Sequence, residues 1–268
     1  MKATVRLGRL CGIPIGIHIS WLLVFALVTI TLGYGIFPDW LGGSPAVAWL
    51  AALAASLLFF ISLLAHELGH ALVARRYGIP VHSITLFALG GVAGLEREPE
   101  RASAEFWMAL AGPAVSLALA LLTGGLWYLT QQGPDAPNAV LFYLALANGM
   151  LVLFNLIPGF PLDGGRLLHA AIWGLTGNLR RATRVAALIG TLVGLAFIAF
   201  GLFELIFETV YSGIWLVAIG WFLQHLARDA YHSARPPRPS LPSFPVIERV
   251  RPLPHLPLAP PTIEQPEK

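Results

Sequence analysis

The stretch Ser56–Gly78, SLLFFISLLAHELGHALVARRYG, sets His66, Glu67 and His70 in an otherwise apolar run, just before Arg75 and Arg76. An unpaired glutamate charge held in hydrocarbon costs on the order of several kcal/mol. Something must therefore compensate Glu67. On a helix, residues four apart share a face, so the imidazoles of His66 and His70 reach toward one point with Glu67 projecting beside them. This is the H-E-x-x-H arrangement, in which two histidines bind zinc and the glutamate acts as general base. A bound cation supplies the positive charge that makes these polar groups tolerable. His70 precedes Arg75 by about 7.5 Å of helix at 1.5 Å per residue, so the site is expected inside the membrane near the cytoplasmic face.

The surroundings of this stretch set the fold class. Of the 268 residues, 56% are hydrophobic and only 12% charged, far more apolar than soluble domains. A spanning helix takes roughly 20 apolar residues. Candidate spans lie near 17–37, 48–74, 106–130, 138–157, 184–207 and 212–228, with a shorter helix at 166–177. The expected architecture is an all-α polytopic membrane protein of six transmembrane helices. With six spans, all 17 Lys and Arg fall on one side of the bilayer, which places the N- and C-termini in the cytoplasm. An odd number of spans would scatter them over both faces. The basic N-terminus leads into an apolar run too long for a cleaved signal peptide and is read as a retained anchor.

Between the second and third spans, GIPVHSITLFALGGVAGLE (78–96) mixes β-branched and aromatic residues with the pair Gly90-Gly91. It reads as a short membrane-associated β-hairpin. The chain divides into a transmembrane core, 1–230, and a tail, 231–268, that holds 11 of the 21 prolines. Such a tail is expected to be extended and disordered; it reads as a remnant or linker, with docking of a partner as the alternative. The single Cys11 excludes an internal disulfide. With a net charge of only +3 and no basic stripe interleaved with aromatics, nucleic acid is not an expected partner.

Two histidines leave a catalytic zinc one protein ligand short. In NGMLVLFNLIPGFPLDGGR (148–166), Pro158 and Pro161 interrupt an apolar helix ahead of Asp163 and two glycines. Broken backbone at membrane depth is tolerated only where protein or a watery cavity satisfies it. Asp163 is the candidate third ligand, and the alternative is a helix-capping aspartate.

Together, HELGH (66–70), ALAGPAVSLALA (109–120) and NLIPGFPLDGG (155–165), with GIPIGIHISW (12–21) and LFALGGVAG (86–94), resemble the site-2 protease family of intramembrane zinc metalloproteases, in its six-span subgroup. The resemblance covers about residues 8–230. It implies zinc-dependent cleavage of a peptide bond within or beside the transmembrane helix of a membrane-embedded protein substrate, as in regulated intramembrane proteolysis. It further implies one zinc ion on His66, His70 and Asp163, Glu67 as catalytic base, and Asn155 as a group that positions substrate or stabilises the oxyanion. Gly90 and Gly91 match a hairpin implicated in presenting substrate, with an ordinary interfacial turn as the alternative. The PDZ or CBS domains of many relatives find no room in the 75–104 loop or the proline-rich tail. From a different class, a membrane metal transporter or a metal-binding non-enzyme would use the same ligands. The acids and histidines nevertheless concentrate at one depth, which favours a reaction centre over a conduit. The prevalence of arginine over lysine and the lack of a transit peptide point to a prokaryotic inner membrane.

Overall fold

A computed structural model describes residues 4–88, 90–130, 135–207 and 210–233. The chain begins with an antiparallel hairpin, β1 (Val5–Leu10) and β2 (Ile13–Ile17), closed at Cys11 and Gly12. Both turn residues have positive φ, 50° and 77°, as the two-residue hairpin turns that match strand twist require. After His18 the chain enters α1 (Ile19–Thr31), which continues through a π turn at Leu32–Ile36 into α2 (Phe37–Leu41). Then come α3 (Pro45–Arg76), β3 (Val81–Phe87), β4 (Gly90–Leu95), α4 (Ala102–Thr130), α5 (Asp135–Asn155), α6 (Asp163–Thr176), α7 (Leu179–Phe207) and α8 (Val210–Ser233).

The expected hairpin between the second and third spans is β3–β4, but it belongs to a larger unit. The four strands form one sheet in the order β1-β2-β3-β4, with β2 and β3 parallel and the outer pairs antiparallel. The expected fold was helical with one hairpin; the N-terminal hairpin adds the second half of the sheet. One face of this sheet packs on α3. Ile13, Ile15 and Ile84 close on Ala71, with Leu64 and Leu68 alongside, so apolar residues flanking His66, Glu67 and His70 in sequence are the ones that seat the sheet. A second apolar cluster joins Phe60 and Leu63 of α3 to Leu86 of β3, Trp21, Val24 and Phe25 of α1 and Leu151 of α5.

Helix α3 has the signals of a long, well-bounded span. Pro45 stands in its first turn, where its missing N–H costs nothing, and Arg75 and Arg76 occupy its last turn, favourable for the helix dipole. Its 32 residues extend for about 48 Å, longer than the ~30 Å hydrocarbon layer. Outward-facing leucines on the long helices, such as Leu23, Leu57, Leu121 and Leu153, are exposed, as a lipid-facing surface requires.

Among the described residues, five helical segments are long and apolar enough to cross a membrane: Ile19–Leu41, α3, α4, α5 and α7. The sixth expected span does form a helix, α8, but it is not among those five. Its C-terminal half carries Gln224, His225, Arg228 and Asp229. Helix α8 lies along α7 through two glycine contacts, Gly194 with Gly220 and Gly201 with Gly213, where a Cβ on either partner would run into the other helix's backbone. As one number of each pair rises the other falls, so the helices are antiparallel. Helix α8 ends three residues beyond the expected boundary at 230, and the tail from 234 lies outside the described residues.

Candidate active site

His66, Glu67 and His70 lie in the C-terminal half of α3, and Asp163 opens α6. The four residues reach one place because the backbone between α5 and α6 folds tightly on itself. Gly164 and Gly165 put the first turn of α6 directly against the backbone of residues 156–160, where any Cβ would collide. The Phe160 N–H donates to Ala186 O of α7 at 3.1 Å, and Gly159 packs against the backbone of Gly190. This loop is therefore held from both sides. Leu162, not Asp163, is the N-cap of α6, with no side-chain capping bond. The Asp163 carboxylate instead turns toward α3, so it does not play the helix-capping alternative raised by its sequence context.

His66 Nε2 lies 3.1 Å from His70 Nε2, and Asp163 Oδ2 lies 3.2 Å from the first and 3.3 Å from the second. His66 is buried. On the far sides of the rings, His70 Nδ1 is 2.6 Å from the Met108 carbonyl and His66 Nδ1 is 2.9 Å from Ser116 Oγ, both on α4. A carbonyl only accepts, so His70 Nδ1 carries its proton and the neutral ring turns a lone pair from Nε2 into the cluster. With the His66 ring set the same way, its Nδ1 donating to Ser116 Oγ, three electron-rich atoms face one another at about 3 Å. One proton can settle one such contact, whereas a cation settles all three. Tetrahedral binding at ~2.0–2.1 Å separates ligand atoms by about 3.3 Å, so the donor set fits a zinc-sized ion. The Nδ1 partners are of the kind that orient metal-binding histidines.

Helix α4 supplies the remaining wall. A Cβ at Gly112 would overlap His70 Nε2 and come 2.6 Å from His66 Nε2, so only glycine permits this approach. The next residue, Pro113, cannot donate to the turn before it. The segment 109–120 contributes to the family resemblance without any residue of it being read as part of the site; two of its small residues, Gly112 and Ser116, touch the histidines.

Glu67 has no hydrogen-bonded partner among the described residues. Across it runs β4: a Cβ at Gly91 would lie 2.7 Å from Glu67 Cδ and 2.9 Å from Oε1. Gly91 is thus brought onto the site. Gly90, at φ 132°, faces open space at the end of the strand. Asn155 ends α5 and its Nδ2 donates to Leu151 O of its own helix at 3.0 Å; it makes no hydrogen bond to the three donor residues. Asn148 of α5 bridges to α3, its Nδ2 3.3 Å from Ser62 Oγ.

One polar group was not anticipated. His169 of α6 is buried with Glu105 of α4, its Nδ1 2.7 Å from Glu105 Oε2, while its Nε2 is 3.0 Å from Thr183 Oγ1 of α7. The signal available in sequence was a glutamate in the first turn of an apolar helix, with no i, i+4 partner to draw attention to it.

The model of peptidase family M50 matches residues 54–135 and 131–200. The chain is 41% identical over 239 residues to sll0528 of Synechocystis and 43% identical over 233 residues to Rip3 of Mycobacterium tuberculosis, both named as candidate zinc metalloproteases. These alignments cover 88% and 85% of this chain but 62% and 59% of the relatives, so the chain spans about three fifths of their length. Among solved structures, the site-2 protease from Methanocaldococcus jannaschii is similar at a TM-score of 0.56 and 30% identity, covering 88% of this chain and 98% of that one.

Proposed function

The chain belongs to peptidase family M50, and from that membership we propose that it is a zinc-dependent intramembrane endopeptidase that hydrolyses a peptide bond within or near a substrate's transmembrane helix. The observation that carries the reading is the convergence of His66 Nε2, His70 Nε2 and Asp163 Oδ2 to within 3.3 Å, with the unpartnered Glu67 beside them. These three atoms would hold the ion. Bound there, zinc supplies Lewis acidity that polarises a water and the scissile carbonyl. Glu67 takes a proton from the water and returns it to the leaving amine. Asn155 serves the developing oxyanion with the amide hydrogen that Leu151 O leaves free.

Gly90 and Gly91 present substrate. Strand β4 is an edge of the sheet, paired on one side with β3, and its other side offers backbone groups to an unwound substrate segment. The absence of a side chain at Gly91 lets that segment's backbone approach Glu67. Helical substrates must unwind first, because a helix hides the amide to be cut.

The protein is integral to the membrane, and we read α8 as a sixth crossing, since it returns antiparallel along α7. The asymmetry of Lys and Arg then puts both termini in the cytoplasm of a prokaryotic cell. Residues 1–230 form the protease core, and the proline-rich segment that follows is a linker able to dock a partner.

The test pairs metal content with cleavage of a single-span substrate by purified protein. Wild type is expected to hold one zinc and cut, Glu67→Gln to hold zinc without cutting, and Asp163→Asn to lose zinc. If Glu67→Gln cuts as well as wild type, the catalytic assignment fails; if wild type binds zinc and cuts nothing, a metal-binding protein replaces the protease.

A further inference from the structure

Away from the catalytic residues, a cleft of about 370 Å³ opens between α7 and α8. Arg184, Val185, Leu188 and Thr191 line it from α7, and Arg228 and Tyr231 from α8. Its chemistry is graded along the helix axis. Arg184 stands five residues after the start of α7 at Leu179, and Arg228 five residues before the end of α8 at Ser233. The antiparallel register of Gly194 with Gly220 and Gly201 with Gly213 sets Arg184 level with residue 230, so the two arginines branch from levels about 3 Å apart. Tyr231 stands beyond them toward the helix ends. In the other direction, Val185, Leu188 and Thr191 carry the lining about 10 Å deeper along α7. The Thr191 hydroxyl is turned back onto Ala187 O at 2.9 Å, so this part of the wall offers little free polarity.

Neither arginine has an acidic partner within ion-pair distance among the described residues, and no Asp or Glu lines the cleft. Two exposed guanidiniums without acidic partners, beside a largely aliphatic wall and with a tyrosine at the rim, complement a phosphate that carries a hydrocarbon chain. Basic clefts between membrane helices at the cytoplasmic side are suited to anionic lipid head groups. The cleft has room for about a dozen water-sized groups, enough for a head group and the start of one chain.

We propose that this cleft is a binding site for an anionic phospholipid, its phosphate held between Arg184 and Arg228 and one acyl chain entering along Val185, Leu188 and Thr191. The site rests on the membrane location of the chain and not on its catalysis. The opposite side of α7, at Ala186 and Gly190, carries the loop that leads to Asp163, so the lipid would brace the helix against which that loop is held.

The full chain, purified in uncharged detergent, is tested with phosphatidylglycerol and with phosphatidylcholine of the same chains, reading bound lipid by native mass spectrometry and stability by thermal unfolding. Phosphatidylglycerol is expected to bind and to raise the Tm, and phosphatidylcholine to do neither. Arg184→Gln with Arg228→Gln is expected to weaken phosphatidylglycerol about 30-fold, the combined effect of two basic residues at a charged membrane surface. Leu188→Trp, which fills the floor and keeps both charges, should also weaken it. Arg180→Gln with Arg181→Gln, at the same helix end but outside the cleft, should leave most of the binding. Equal binding of the two lipids, full binding by the double variant at 184 and 228, or an equal loss in the 180 and 181 variant would overturn the site. Displacement of the lipid by millimolar inorganic phosphate would assign the arginines to a free anion and overturn the lipid reading.

Discussion

At residue scale, the cluster depends on two neighbours on α4 as much as on its own donors. Gly112 leaves the space that both Nε2 atoms occupy, so Gly112→Ala is expected to reduce zinc retention at least about tenfold, in the range seen when groups supporting a metal site are altered. Competition with a chelator of known affinity measures it, and an unchanged affinity would mean that α4 does not close the site. Ser116 makes a cleaner probe, because it touches only one ring nitrogen. Ser116→Ala is expected to weaken zinc about 10–100-fold by freeing the His66 ring. Ser56→Ala, an equally buried serine on α3, should leave zinc unchanged. Loss of the same size in both variants would show that packing, not ring orientation, is being read. His66, Glu67 and His70 were legible because their chemistry is written within five consecutive residues. Asp163 needed a broken helix to draw attention to it. Gly112 and Ser116 were not legible as site residues, since glycine and serine in an apolar helix look alike whether they pack helices or hold a ligand.

At the scale of elements, what positions Asp163 is the way α6 and its preceding loop are fastened to α4 and α7. Two contacts do this: the Glu105–His169–Thr183 chain and the glycine seat at Gly190. Glu105→Leu removes the acceptor of a buried imidazole, and an unsatisfied buried group costs about 1–3 kcal/mol. The variant is expected to unfold earlier in a denaturing-detergent titration and to hold zinc more weakly, because His169 shares α6 with Asp163. An unchanged midpoint together with unchanged zinc would rule out the tether. Gly190→Val drives a side chain into the Phe160 backbone and should reduce zinc retention strongly. Gly201→Val, which disturbs the α7–α8 packing at a point away from that loop, should cost stability with less effect on zinc. If both lose zinc equally, the loop is not what Gly190 supports. These contacts escaped sequence reading for a physical reason. Glu105 and His169 are 64 positions apart, and no periodicity within one helix connects them.

For the whole molecule, the open quantity is the number of crossings. Helix α8 is not among the five apolar helical segments, while its glycine-tight packing along α7 and the one-sided distribution of Lys and Arg favour a sixth crossing. The N-terminal hairpin supplies the probe. It was hidden in sequence because Cys11 holds a left-handed turn position where asparagine, aspartate or glycine is usual, and because only His18 separates β2 from the first span. Cys11 is exposed at this turn and is the one cysteine of the chain, so an impermeant maleimide reports the side of the N-terminal hairpin without any substitution. A protease-cleavable tag after residue 268 reports the C-terminus. With six spans and the basic loops inside, inverted membrane vesicles should show both maleimide labelling and tag cleavage, and intact spheroplasts neither. Labelling from one side with cleavage from the other means five crossings, with α8 lying at the surface on the far side. Both signals in spheroplasts would keep six crossings but reverse the orientation, and the active site, a few residues before Arg75, would then open away from the cytoplasm.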